Sequence, residues 1–111
     1  MSSGPADEQA VAQRLSRDGY KILDRNWRTR SCELDIVARR GRTVYFVEVK
    51  YRRSDFCGDG FSYITVAKRR RLRYGARLWS QQNGWVGEQR LLAASVSGLG
   101  CQEIELLEIE T

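Results

Sequence analysis

The run from residue 43 to 51 constrains the fold more than any other stretch. Val44, Phe46, Glu48 and Lys50 fall on one face of an extended chain, and Tyr45, Val47, Val49 and Tyr51 on the other. β-Branched and aromatic residues dominate it, so it reads as a strand. Because it is apolar on both faces, it belongs in the middle of a sheet covered on both sides.

The flanking segments supply the rest of that sheet. Residues 33–39 form a second strand, and Arg40-Gly41-Arg42 joins the two as a tight antiparallel hairpin. Residues 20–28 alternate and are charged, as an outer strand would be. Before them, Glu8, Val11, Ala12 and Leu15 recur at helical spacing over 7–18, with Asp7 near the start and Gly19 as the stop. The first six residues read as a flexible lead-in, and 7–111 as one domain. After a glycine-containing loop at 52–63, a helix runs over 65–82, with Thr65 as N-cap. Its apolar stripe is Leu72, Gly75, Ala76 and Trp79, with Arg69, Arg70, Arg73 and Arg77 as a basic ridge alongside. Two further strands lie near 90–97 and 102–108. The order α-β-β-β-α-β-β predicts an α/β domain on one mixed sheet flanked by helices.

Composition narrows the chemistry. The 111 residues contain no histidine, which removes Ser-His-Asp and Cys-His catalysis and every His-ligated metal site. Carboxylates, lysine, arginine, tyrosine and cysteine remain. The net charge is +5, and 16 of the 19 basic residues are arginine, whose planar fork suits phosphate. All bases but Arg90 lie between residues 14 and 77, whereas Glu103, Glu105, Glu108 and Glu110 make the tail acidic. This points either to a polyanion partner or to a merely basic surface. Cys32, Cys57 and Cys101 are odd in number and form no CxxC pair, which argues against a zinc knuckle or a disulfide framework. Without a signal-like segment or a long apolar run, the expectation is a soluble cytoplasmic protein with no membrane partner.

Two strands carry charge where core residues belong. Glu48 and Lys50 lie roughly 7 Å apart on one face of the central strand. Alone they are explained by an ion pair at a strand end. The neighbouring strand puts Glu33, Asp35 and Val37 on one face and Leu34, Ile36 and Ala38 on the other. If the hairpin matches the faces, Asp35 and Glu48 converge on a hard-cation site such as magnesium takes, with the Val49 carbonyl as a further ligand. Glu8 begins the inward stripe of the first helix, and Lys68 that of the second. Each could reach the sheet, or could serve the helix end or snorkel outward. The chemistry these groups support is phosphodiester hydrolysis, with Lys50 orienting the attacking water. Arg52, Arg53, Lys68, Arg69, Arg70, Arg73 and Arg77 would hold the nucleic-acid backbone.

The run Gly19-Tyr20-Lys21-Ile22-Leu23-Asp24-Arg25-Asn26, the strand Glu33-Leu34-Asp35-Ile36-Val37-Ala38 and the stretch from Val44 to Arg52 resemble the UPF0102 (YraN-like) family of the PD-(D/E)XK nuclease superfamily. Phe56, Gly58, Thr65 and Lys68 also fit its pattern. The resemblance implies a restriction-endonuclease-like fold, similar to archaeal Holliday junction resolvases. It implies catalytic positions at Glu8, Asp35, Glu48 and Lys50, with Mg2+ or Mn2+ as cofactor. DNA, branched DNA included, is the implied partner, bound by a homodimer. Two departures stand out. Cys32 occupies a position that is usually glycine, and Leu92 replaces an aspartate. Two alternatives stay open beside an endonuclease: a nucleic-acid-binding module that does not cut, and an interaction domain pairing through its acidic last strand.

Overall fold

The computed structural model describes residues 5–52, 64–98 and 103–109. Its elements are α1 (Pro5–Arg17), β1 (Lys21–Arg28), β2 (Glu33–Arg40), β3 (Thr43–Tyr51), α2 (Val66–Asn83), β4 (Glu88–Ser97) and β5 (Glu103–Ile109). The sheet order is β1-β2-β3-β4-β5, so the doubly apolar strand is central, as its pattern requires. β3 and β4 run parallel, with α2 in the connection between them, and the other neighbours are antiparallel.

A helix covers each face. Val11, Ala12 and Leu15 of α1 pack on Ile36, Val47, Val49 and Ala94. On the opposite face Leu72, Ala76 and Trp79 of α2 pack on Val37, Val44, Phe46 and Ala93. Phe46 is fully buried and meets Trp79 edge to face, with ring centroids 5.7 Å apart. α2 comes close to β2 at Gly75, where a Cβ would lie 3.1 Å from Leu34 Cδ2.

The elements differ from the sequence expectation mainly at their ends. α1 starts at Pro5, inside the expected lead-in, because proline is tolerated in a first turn whose N–H groups have no helical partner. β4 begins at Glu88 rather than at residue 90. Its polar start is held by pairing with β3: Glu88 lies across from Thr43, whose hydroxyl donates to Glu88 Oε1 at 3.0 Å. Thr65 does cap α2, its hydroxyl accepting from the Lys68 N–H at 3.1 Å. Thr65→Ala is expected to cost about 1 kcal/mol and to lower Tm by about 5 °C in a thermal melt.

One expectation about side-chain direction is overturned. Leu34 does not share a face with Ile36; it packs with Val37 in the α2-side core. The alternation of β2 therefore breaks around Asp35. In β1, Asn26, between the pairs Arg25↔Ile36 and Trp27↔Leu34, adopts the left-handed φ of 52°, and a register shift lies further along, between Ile22 and Asp24. These distortions shape the candidate site.

Candidate active site

Regular β2–β3 pairing extends from Arg40↔Thr43 to Ile36↔Val47. Asp35 and Glu48 are the next residue on each strand beyond the last regular pair. There the Asp35 carboxylate enters the space between the strands, and its Oδ2 accepts the buried Val49 N–H at 2.8 Å. Asp35 is only 3% exposed. Burial, reinforced by the Glu48 charge and opposed by the Val49 N–H, pushes its pKa up to about 7.

Glu48 projects from the α2 side of β3 and accepts from Lys68 Nζ at 2.7 Å. Lys68 thus turns inward to the sheet rather than outward. Glu8, in the first turn of α1, is 3% exposed. Burial raises its pKa, while a hydrogen bond from the Asn26 side chain and the Arg25 charge act the other way. The distorted residue of β1 is therefore the one that meets Glu8. The negative charges of Glu8 and Glu33 also act on Asp35, so the four acids form one electrostatic group.

A cavity of about 170 Å³ opens on this group, lined by Cys32, Glu33, Asp35, Glu48, Lys68 and Arg71, with Leu72 at its wall. Cys32 Sγ lies 3.0 Å from the Thr29 hydroxyl, and Glu33 pairs with Arg28 at 3.2 Å. Lys50 is half-buried two residues beyond Glu48 on the same strand, and its side chain is not among those lining the cavity.

The proposed backbone-binding residues do not form one surface. Arg52 is tied to the opposite edge, its N–H donating to the Val96 carbonyl and its guanidinium 3.5 Å from Glu105. Arg53 lies outside the described residues. Arg69 is half-buried, and its Nε has no hydrogen-bond partner among the described residues. Arg70, Arg73 and Arg77 are exposed. At 100° per residue, Arg69, Arg73 and Arg77 occupy the flank of α2 turned away from the cavity. Arg71 occupies the cavity flank, one turn after Lys68. Sequence reasoning missed it. Its i, i+3 spacing from Lys68 was the available signal.

Among the described residues, no group of three or more Cys, Asp or Glu side chains is gathered to hold a metal ion. Asp35 and Glu48 nevertheless fit a hard cation: two carboxylates line one cavity, one of them buried, and the charge of Glu48 raises the cost of ionising Asp35. The remaining ligands would be a backbone carbonyl, water and substrate. The sequence signature described as "Uncharacterised protein family UPF0102" matches residues 7–96, which takes in every group of this site. The chain belongs to the UPF0102 family.

UPF0102 relatives align over most of its length. The chain is 46% identical over 89 residues to a UPF0102 protein of Mycobacterium ulcerans, covering 77% of this chain and 73% of that one. It is 43% identical over 84 residues to one of Stutzerimonas stutzeri, covering 76% and 70%. With the UPF0102 protein YraN of Salmonella newport it shares 40% identity over 83 residues, covering 74% and 63%. Among the described residues, no helix is long and apolar enough to cross a membrane.

Proposed function

We propose that the protein is a nuclease dependent on Mg2+ or Mn2+ that hydrolyses phosphodiester bonds in DNA, branched DNA included. The observation that carries this reading is that Asp35 and Glu48 line one cavity, where their charges interact, together with Lys68 and Arg71. Asp35, Glu48 and the Val49 carbonyl would hold the cation. When bound, it supplies charge against the scissile phosphate and acidifies water.

The protein's own groups do the positioning. The Val49 N–H fixes the Asp35 carboxylate. Glu8, held by Asn26, adds negative charge behind it. Lys50, two residues along β3 from Glu48 and outside the cavity lining, would reach in to orient the water that attacks phosphorus as the P–O bond to the leaving strand breaks. Lys68 and Arg71 meet the phosphate oxygens, a role suited to charge-assisted hydrogen bonds. A homodimer, as the superfamily resemblance implies, would offer two such sites to one junction.

One observation favours a binding module that does not cut: Glu48 is paired with Lys68, 2.7 Å away. Junction, flap and duplex DNA offered with Mg2+ or Mn2+ separate the readings. The expected result is cleavage by the wild type and loss of at least about a hundredfold in Lys50→Ala, with DNA binding retained. Binding without cutting under every metal condition overturns the nuclease and leaves the module.

A further inference from the structure

A second cleft lies at the other end of α2. Arg77, Ser80 and Gln81 of the helix face Trp85 and Val86 of the segment leading into β4, and Gln89 of β4, around about 350 Å³. Ser80 is twelve residues beyond Lys68, so this cleft sits about 18 Å along α2 from the acidic cavity.

Several features set it apart from ordinary surface. Ser80 is 5% exposed, and its hydroxyl has no hydrogen-bond partner among the described residues. A buried polar group without a partner is uncommon, and because Ser80 lines the cleft, a turn of its hydroxyl about the Cα–Cβ bond would present it to a ligand there. Val86 is 98% exposed beside an indole that is held in place. The Trp85 N–H donates to the Glu88 carbonyl at 3.0 Å, and the Arg39 guanidinium lies 4.9 Å from its ring centroid. Gly87 lets the indole lie on the backbone, since a Cβ there would come within 2.5 Å of it. Arg73 and Arg77 are exposed one turn apart, a like-charge spacing that is unfavourable without an anion.

We infer that this cleft binds one unpaired nucleotide of a nucleic-acid strand. Arg77 takes its phosphate. Ser80, Gln81 and Gln89 meet the polar edge of its base, and Trp85 and Val86 form the apolar wall. The combination of a cation, a hydroxyl, two amides and an immobile aromatic suits a planar, anionic, hydrogen-bonding ligand. The choice of ligand class rests on nucleic acid being the partner of the acidic cavity. The cleft then acts as a distant anchor, at least about five nucleotides away if the strand keeps B-form rise, because Arg77 lies on the flank of α2 turned from the cavity.

The test is binding of a fluorescein-labelled 12-nucleotide single-stranded DNA, followed by anisotropy in EDTA so that nothing is cut. Arg77→Gln is expected to weaken binding about tenfold, the size of one charge-assisted contact. Its log–log salt dependence should flatten by about 0.7. Ser80→Ala should also weaken binding, with Tm unchanged or raised because a partnerless hydroxyl is gone. Wild-type affinity in both variants, or no binding of the strand by the wild type, overturns the inference. The two readings fail separately. A strand bound through Arg77 yet never cut with any metal overturns the nuclease alone. One cut equally well by Arg77→Gln at every DNA concentration overturns the anchor alone.

Discussion

Glu48→Gln is expected to lower DNA cleavage by at least about a thousandfold while leaving DNA affinity within a few-fold of the wild type. The substitution keeps the shape of the side chain, and the amide oxygen can still accept from Lys68 Nζ, which lies 2.7 Å from Glu48 now. Both partners are partly exposed, so the lost ion pair should cost only about 1 kcal/mol. The variant should therefore fold. What it cannot do is supply the second negative charge that acts on Asp35. Removing that charge also removes one of the causes that raise the Asp35 pKa, so this carboxyl should titrate lower in the variant by NMR. Steady-state cleavage with Mn2+ and anisotropy with the same DNA check the two halves. Undiminished cleavage would mean that the cavity is not the reacting centre.

The parts of this site legible in the sequence are those set by local pattern. The hairpin at Gly41, the Thr65 cap and the Leu72–Trp79 stripe each follow from a few adjacent residues, and each forms as read. The convergence of Asp35 and Glu48 was conditional on register, because a slip of one residue reverses every side chain. Regular pairing ends at Ile36↔Val47, one residue short of them on each strand, and both side chains line one cavity. The break in alternation was not legible at all. Leu34 reads as the partner of Ile36 on any period-two count, yet it packs on the α2 side, where regular β2–β3 pairing has ended and β1 carries the left-handed Asn26. That geometry is tertiary in origin: it lets the Asp35 carboxylate, rather than a backbone carbonyl, take the Val49 N–H. Arg71 was hidden for a different reason. Among five arginines in one helix, composition marks a basic element, and only the position of the cavity says which flank matters.

The cost of holding Asp35 in place should appear in the pH dependence of stability. Its pKa is about 7 in the folded protein against an ordinary 3.8. Below pH 3.8 the group is protonated whether the chain is folded or not. Between 3.8 and 7 the folded state keeps the proton and the unfolded state releases it. Stability from this group is therefore fully present in acid and is lost as pH rises to 7, by on the order of 3–4 kcal/mol. Asp35→Asn removes the titration and can keep the hydrogen bond, since the amide oxygen also accepts from the Val49 N–H. In EDTA the variant should match the wild type near pH 4 and exceed it by about 2 kcal/mol or more at pH 8, measured by urea unfolding. The difference between the two proteins isolates Asp35 from other carboxyl groups. If the wild type gains on the variant as pH rises, the buried-charge account of the site is wrong. Mn2+ then gives the decisive comparison without any DNA. A cation bound to the folded state at a hundred times its Kd stabilises by about 2.7 kcal/mol. At pH 8 that gain should appear in the wild type and be largely absent in Asp35→Asn. An equal gain in both would place the cation elsewhere on the protein and leave the Asp35–Glu48 pair without its proposed purpose.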